Sequence, residues 1–147
     1  MGFFTALESS ASALTAQRLR MDTISENIAN SSTTRTEDGT PYRRKTVIFE
    51  AAAIDAPFSS YLSKASRERL AGAGVRVSAI VHDTSPFKSV YDPGHPDADE
   101  NGMVQMPNVE VVTEMVNMIS ATRAYEANVT AINTTKSMAA KALEIGK

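Results

Sequence analysis

The feature that most constrains the fold is a regular apolar pattern over 111–143, near the C-terminal end of the chain. Apolar side chains recur there at intervals of alternately four and three residues, and only Thr122 and Lys136 interrupt them. This spacing is typical of a coiled-coil seam, because it places the apolar side chains along one stripe of a helix. Pro107 followed by Asn108 indicates a helix start, with Asn108 as the capping residue. The pattern therefore predicts a long helix over 109–145.

A weaker pattern of the same kind begins near the N-terminus. Leu7, Leu14, Met21 and Ile28 lie seven residues apart, so they occupy equivalent positions of successive heptads. No proline interrupts this part of the chain, as a continuous helix requires. The pattern predicts a second long helix over 3–31.

Neither helix can bury its apolar stripe alone, so we expect the two helices to pair as a coiled-coil-like hairpin. Val112, Val116 and Ile119 lie outside the C-terminal seam, where a single partner helix would leave them uncovered. Exposed apolar surface of this kind usually marks a site of protein association. The sequence thus indicates a chain that binds other chains through its terminal helices.

The residues between the helices indicate a small β region. Tyr42–Glu50 and Val75–Val81 have the composition of strands, whereas 57–74 has no clear period and is predicted to be a mobile loop. The predicted fold class is mainly α, with a short β domain or ribbon and a loop between the terminal helices. The predicted regions are an N-terminal helix over 1–31, a β and loop region over 32–108, and a C-terminal helix over 109–147.

Composition and charge argue against most catalytic and binding classes. The chain of 147 residues has a formal net charge of −2, which does not favour nucleic acid or an anionic membrane as a partner. Cysteine is absent, which excludes disulfides, thiolate metal sites and a cysteine nucleophile. His82 and His95 are the only histidines, and neither has neighbours at the spacing of a metal or acid–base site. We expect no enzymatic activity, no cofactor and no small-molecule substrate.

The acidic segment D-P-G-H-P-D-A-D-E-N-G, over 92–102, raises the question of a calcium site. An EF-hand loop supplies oxygen ligands from positions 1, 3 and 5, places glycine at position 6 and ends on a bidentate glutamate at position 12. Asp97, Asp99 and Gly102 fit the first half of this pattern. Position 12 would be Asn108, which has no carboxylate.

Pro93 and Pro96 also prevent a helix from leading into this segment as it does in an EF-hand. We therefore expect no metal site. We interpret 92–108 as a shaped connector into the C-terminal helix, in which the carboxylates and His95 can cap backbone N–H groups. The alternative is a calcium-responsive binding module that uses the 97–102 loop.

Two stretches of the sequence resemble a known family. The stretch N-I-A-N-S-S-T-T-R-T-E-D-G-T-P-Y-R-R-K, over 27–45, resembles the signature of bacterial flagellar rod and hook proteins. The stretch over 91–129, which begins Y-D-P-G-H-P-D-A-D-E-N-G and continues into the C-terminal helix, is similar to the proximal-rod branch of the flagellar basal-body rod proteins. The segment over 31–41 is longer and more polar than the hook form, which favours the proximal-rod branch.

The resemblance implies a structural subunit of the flagellar proximal rod, in the basal body outside the cytoplasmic membrane. It implies that the subunits polymerise through paired terminal helices into a tubular drive shaft that transmits torque. The implied partners are other rod subunits, neighbouring basal-body proteins and the flagellar type III export apparatus through which the chain would leave the cell.

The heptad patterns and the resemblance together assign residues to two roles. The expected subunit-interface residues lie along the apolar seams of the two helices: Leu7, Leu14, Met21, Ile28, Val111, Met115, Met118, Thr122, Tyr125, Val129, Ile132 and Leu143. The implied structural-loop residues are Asn27, Asn30, Tyr42, Asp92, Pro93, His95, Pro96, Asp97, Asp99 and Gly102.

Overall fold

A computed structural model describes residues 3–52 and 74–145, and its longest elements are two terminal helices. Helix α1 spans Phe3–Ala29 and helix α2 spans Val111–Ile145. Between them in sequence, the described residues form four short strands in two separate sheets. The predicted fold class, mainly α with a small β region between long terminal helices, is confirmed. The loop predicted over 57–74 lies, except for its last residue, outside the described residues.

Helix α1 ends at Ala29, two residues earlier than predicted. The backbone N–H of Asn30 still donates to the carbonyl of Glu26 at 3.1 Å, but the N–H of Ser31 donates to the carbonyl of Ile28 at 3.2 Å. This shorter spacing tightens the last turn and ends the α-helix. The Asn30 side chain also donates to the Glu26 carbonyl, at 2.9 Å, and so gives this acceptor at the helix end a second hydrogen bond.

Helix α2 begins at Val111, two residues later than predicted. The carbonyl of Glu110 accepts a hydrogen bond from the N–H of Glu114 at 2.9 Å, which places Glu110 at the capping position. The prediction that Asn108 caps this helix is wrong. The side-chain oxygen of Asn108 instead accepts a hydrogen bond from the backbone N–H of Arg44 at 2.8 Å.

The first sheet joins two strands that the sequence predicted. They are β1, Lys45–Ala51, and β2, Val75–His82. The N–H of Asp83 donates to the carbonyl of Arg44 at 2.8 Å beyond one end, and the N–H of Ala52 donates to the carbonyl of Gly74 at 3.0 Å beyond the other. These pairings mean that β1 and β2 run antiparallel.

The second sheet is a β-hairpin that the sequence analysis did not predict. Strand β3, Lys88–Tyr91, pairs antiparallel with strand β4, Met103–Met106, and Val90 lies opposite Val104. Each strand has four residues, which is too short for alternation to stand out from chance. The acidic segment over 92–102 is therefore the loop of this hairpin, and β4 lies within the stretch over 92–108 that was interpreted as a connector into the C-terminal helix.

The described residues fall into two compact units. One comprises residues from 1–18, 48–78 and 122–147, and the other comprises 19–47 and 79–121. In the first unit, the hydroxyl oxygen of Ser12 accepts a hydrogen bond from the N–H of Val75 at 3.1 Å. The adjacent Gly74 has φ +111°, and a Cβ there would lie 2.2 Å from that oxygen, so only glycine permits this approach.

The second unit has a small core that contains both apolar and polar residues. Its buried apolar side chains include Ile24, Tyr42, Val104 and Val109. Asn27 and Glu114 are buried among them, with exposed fractions of 0% and 1%. Buried amide and carboxylate groups are unfavourable unless they are hydrogen-bonded, so the unit depends on how these two side chains are satisfied.

The buried face of α2 is displaced by one residue from the predicted seam in the first turns of the helix. Glu114 and Ala121 are buried, whereas the predicted seam residues Met115 and Thr122 are exposed. An apolar heptad pattern predicts methionine rather than glutamate at a buried position, because an unpaired carboxylate is unfavourable there.

Val104→Ala tests the core of the second unit. Val104 is 1% exposed, so removing two methyl groups leaves a cavity and should lower the free energy of unfolding by about 2 kcal/mol. Its cross-strand neighbour Val90 is 47% exposed, and Val90→Ala should cost about 0.5 kcal/mol. Urea unfolding of both variants measures the difference. Equal losses would mean that the hairpin does not pack as described.

Candidate functional site

Asn27 lies in the last turns of α1 and uses every hydrogen-bonding position of its side-chain amide. Its Nδ2 donates to the carbonyl of Lys45 at 2.8 Å and to Oε2 of Glu114 at 2.9 Å. Its Oδ1 accepts from the hydroxyl of Tyr42 at 3.0 Å and from the backbone N–H of Lys45 at 2.9 Å. One buried amide therefore joins α1, the start of β1 and α2.

Glu114 supplies the negative charge at the centre of this cluster. Its Oε1 accepts from Nε of Arg44 at 3.0 Å, from Nη2 of Arg44 at 2.8 Å and from Nδ2 of Asn117 at 3.1 Å. Its Oε2 accepts from Asn27. Both carboxylate oxygens are thus hydrogen-bonded, which is the condition under which a buried ion pair is tolerated. We call Asn27, Tyr42, Arg44 and Glu114 the buried polar cluster.

Asp83 and Asn108 extend the cluster toward the end of β2. Nη1 of Arg44 lies 3.4 Å from Oδ2 of Asp83. The side-chain nitrogen of Asn108 donates to the carbonyls of Asp83 and Ser85, each at 3.2 Å. Because the Asn108 oxygen also accepts from the backbone of Arg44, this side chain holds the entry to α2 against the first sheet.

The opposite charges of Glu114 and Arg44 each stabilise the ionised form of the other. Burial opposes ionisation of Glu114, but hydrogen bonds from Asn27 and Arg44 and the charge of Arg44 outweigh it, so the pKa of Glu114 lies below its ordinary value of 4.5. Burial likewise opposes the charge of Arg44. Hydrogen bonds to Glu114 and Asp83 and the negative charges of these two residues outweigh burial and raise the pKa of the Arg44 guanidinium. Burial first, and then the charges of Glu26 and Glu114, raise the pKa of Tyr42 to about 12.

The basic triplet at 43–45 has structural contacts at all three positions. Arg43 donates to the carbonyl of Asp83 at 2.9 Å and stacks over the ring of Phe87, 4.4 Å from its centre. Arg44 pairs with Glu114, and Lys45 forms an ion pair with Glu26. These contacts make the triplet part of the fold rather than a free basic patch.

The acidic hairpin loop is held by its own carboxylates. Oδ1 of Asp99 accepts from the backbone N–H groups of Asn101 at 2.9 Å and Met103 at 2.8 Å. Nδ1 of His95 accepts from the N–H of Asp97 at 3.1 Å. The carboxylates and His95 therefore cap backbone N–H groups, as the sequence analysis allowed.

A contact with the segment after α1 fixes the outer side of this loop. The hydroxyl of Thr34 donates to Oδ2 of Asp97 at 2.8 Å, and the guanidinium of Arg35 lies 3.8 Å from Oδ1. These residues line an open cleft of about 460 Å³ together with Pro41 and Gln105. Within 3–52 and 74–145, no three His, Asp or Glu side chains are grouped in a way that could hold a metal ion.

An exposed apolar surface lies on the side of α2 opposite Glu114. Val112, Met115, Val116 and Ile119 are 67%, 55%, 60% and 54% exposed, and their spacing places them on one helical face. We call these four residues the α2 apolar face. Four large apolar side chains that remain exposed together indicate a surface for association.

The structure places the other predicted interface residues in several environments. Among them, Val111, Thr122 and Leu143 are exposed, and the remainder are half-buried: Leu7, Leu14, Met21, Ile28, Met118, Tyr125, Val129 and Ile132. Of the predicted loop residues, Asn27 lies inside α1 and Tyr42 is buried against it. The others lie in the segment after α1 or in the hairpin loop: Asn30, Asp92, Pro93, His95, Pro96, Asp97, Asp99 and Gly102.

Glu114 was not among the site residues predicted from the sequence. The available signal was a carboxylate within an otherwise apolar run of α2, V-V-T-E-M-V. Such a residue needs a partner if it is buried, and the candidates were the basic residues of the 43–45 triplet.

None of the helices among the described residues is both long enough and apolar enough to cross a membrane.

Comparisons with known proteins give a consistent result. Residues 100–145 match a family described as "Flagellar basal body rod FlgEFG protein C-terminal", and residues 7–35 match one described as "Flagella basal body rod protein". The flagellar basal-body rod protein FlgC of Bacillus subtilis is 53% identical over 152 residues, which cover 100% of both chains. The protein of the same name from Borreliella burgdorferi is 50% identical, over 99% of this chain and 98% of its own. That from Salmonella typhimurium is 42% identical over 100% of both chains.

Glu114→Gln tests the buried polar cluster. The substitution keeps the shape of the side chain but leaves the Arg44 guanidinium without its buried counter-charge, and breaking such a pair should cost about 3 kcal/mol. Glu126→Gln is the matched control, because Glu126 is exposed on the same helix and should change the free energy of unfolding by less than about 0.5 kcal/mol. Urea unfolding measures both, and similar values for the two variants would contradict the cluster's role.

The pH dependence of stability gives a second test. The folded chain holds the pKa of Glu114 below 4.5, so the unfolded chain binds a proton more readily than the folded chain. The stabilisation is complete above the unfolded pKa and is lost as the pH falls through the folded value. The pKa of Asp83 is also lowered, chiefly by hydrogen bonds from Ser85. Ionised Asp83 therefore also stabilises the folded chain, and this stabilisation too is lost as the pH falls.

We therefore expect the urea midpoint to fall as the pH is lowered from about 6 to about 3. Glu114→Gln should show a smaller fall than the original chain, because it lacks this ionisation. An equal fall in both proteins would show that Glu114 is not responsible.

Proposed function

Because the chain belongs to the family of flagellar basal-body rod proteins named FlgC, we propose that it polymerises through its terminal helices into the proximal rod and transmits torque there. As a member of this family, it is a structural subunit of the rod in the flagellar basal body. Its partners in the proposed assembly are other rod subunits and neighbouring basal-body proteins. The proposed route out of the cell is the flagellar type III export apparatus.

The α2 apolar face is the observation that best supports polymerisation. Its four side chains are more than half exposed in the single chain, although valine, isoleucine and methionine are usually buried. Burying each of them against a neighbouring subunit would contribute about 1 to 2 kcal/mol. One such face is too small for a stable pairwise complex, but repeated contacts along a polymer can add to a stable assembly.

The buried polar cluster suits the same role. A subunit that transmits torque must keep the orientation of the helix that carries its contacts. Asn27 and Glu114 join α1 to the first turns of α2, and Arg44 joins both to the first sheet. Hydrogen bonds have narrow preferred distances and angles, so this set of contacts resists rotation of α2 about its axis within the second unit.

The proposed role is structural and needs no catalytic group, cofactor or small-molecule substrate. The calcium-responsive alternative finds no support in the geometry of the hairpin loop. One carboxylate oxygen of Asp99 is hydrogen-bonded to two backbone N–H groups, and Asp97 accepts from Thr34. Both residues therefore serve the loop's own conformation.

Val116→Asp tests the proposed interface. Val116 is 60% exposed, so the substitution should leave the isolated chain folded, with a change in stability of less than about 1 kcal/mol. A buried unpaired carboxylate in each subunit contact should instead prevent assembly. We expect cells that carry only this variant to lack motility, and basal bodies purified from them to lack the protein.

Thr113→Asp is the control for the added charge, because Thr113 is an exposed polar residue of the same helix. It should assemble normally. Far-UV circular dichroism and urea unfolding of both purified variants establish that any defect arises in assembly rather than in folding. Normal motility with Val116→Asp would reject the α2 apolar face as a subunit interface.

A further inference from the structure

The loop between β3 and β4 contains a pair of residues with a specific chemical reactivity. Asn101 is followed by Gly102, and this is the one Asn-Gly pair in the sequence. The backbone nitrogen of the following residue can attack the side-chain carbonyl of asparagine, and glycine hinders the attack least because it has no Cβ. We propose that Asn101 is a deamidation site and that the hydrogen bonds of the folded hairpin loop restrain the reaction.

The reaction requires only water as a co-reactant. The backbone nitrogen of Gly102 loses its proton and bonds to Cγ of Asn101. The Cγ–Nδ2 bond of Asn101 then breaks, and Nδ2 leaves as ammonia. The resulting cyclic imide adds one water molecule and opens at either of its two carbonyl groups. The products are aspartate, with the original backbone, or isoaspartate, in which the backbone passes through the former side chain.

The fold makes glycine necessary at position 102. Gly102 has φ +72°, a region that residues with a side chain rarely adopt. A Cβ at this position would lie 3.0 Å from Cε2 of Tyr91 and 3.1 Å from Cβ of Pro93. The partner that makes asparagine reactive is therefore required by the hairpin, while Asn101 is exposed to the water that the reaction consumes.

The same hairpin restrains the attacking nitrogen. The N–H of Gly102 donates to the carbonyl of Asp99 at 2.9 Å, so the nitrogen must leave this acceptor before it can reach the Asn101 side chain. The N–H of Asn101 donates to Oδ1 of Asp99 at 2.9 Å, and the carbonyl of Gly102 accepts from Asp92 at 2.9 Å. Deamidation should therefore proceed mainly from an opened loop.

The products would prevent the loop from closing again in its original form. Either product adds a negative charge beside Asp99 and Glu100, where like charges repel. Isoaspartate also lengthens the backbone within the turn whose hydrogen bonds depend on the spacing between Asp99 and Gly102. A chain in which this loop stays open long enough would thus carry an irreversible chemical modification at Asn101.

Peptide mapping by mass spectrometry of the full-length chain tests the proposal. The protein is incubated in mildly alkaline buffer, either native or unfolded in urea, and conversion of Asn101 to aspartate and isoaspartate is followed over time. We expect conversion in urea to be at least about tenfold faster than in the native protein. Asp99→Ala removes two of the loop's hydrogen bonds and should accelerate the native reaction about tenfold.

Two controls separate local opening from other effects. Asp99→Ala and the original chain should react at the same rate in urea, because the folded loop is then absent from both. Asn133, which precedes a threonine and is exposed on α2, provides an internal reference that Asp99→Ala should leave unchanged in the native protein. Equal native and urea rates at Asn101, or equal acceleration of Asn133 and Asn101 by Asp99→Ala, would overturn the proposal.

Discussion

The buried carboxylate of Glu114 is the constraint on which the second unit depends. A charge at 1% exposure is strongly unfavourable unless several donors surround it. The four hydrogen bonds that reach Glu114 come from α1, from the residue before β1 and from α2 itself. Replacing the whole cluster by apolar residues could give equal stability, but apolar contacts would not fix the rotation of α2 as narrowly as directed hydrogen bonds do.

That orientation decides which side of α2 faces outward. With Glu114 directed to the interior, Val112, Val116 and Ile119 lie on the opposite side and are exposed. One orientation of α2 about its axis therefore both buries the polar side chain of Glu114 and exposes the apolar side chains on the opposite face. The usual arrangement of a surface helix has apolar residues inside and polar residues outside, and this part of α2 reverses it. Such a reversal would suit the proposed role, in which this face is buried against neighbouring subunits.

The sequence was sufficient for the elements whose signals are long and repeated. Both helices were predicted within two residues at their inner ends, because heptad periodicity accumulates over many turns. The β3–β4 hairpin was missed, since each of its strands offers four residues. Glu114 was missed because its burial depends on Asn27, 87 positions away along the chain, and no local pattern reports such a partner. The resemblance identified the family without showing how the cluster is built.

The most direct test of the account is the accessibility of the α2 apolar face in the assembled rod. The chain contains no cysteine, so Val116→Cys places a single thiol on this face. We predict that a water-soluble maleimide labels this thiol readily in the purified chain and at least about tenfold more slowly in intact basal bodies. Thr113→Cys on the same helix provides the comparison. Equal labelling of Val116→Cys in the free and assembled states would contradict the claim that the rod assembles through this surface.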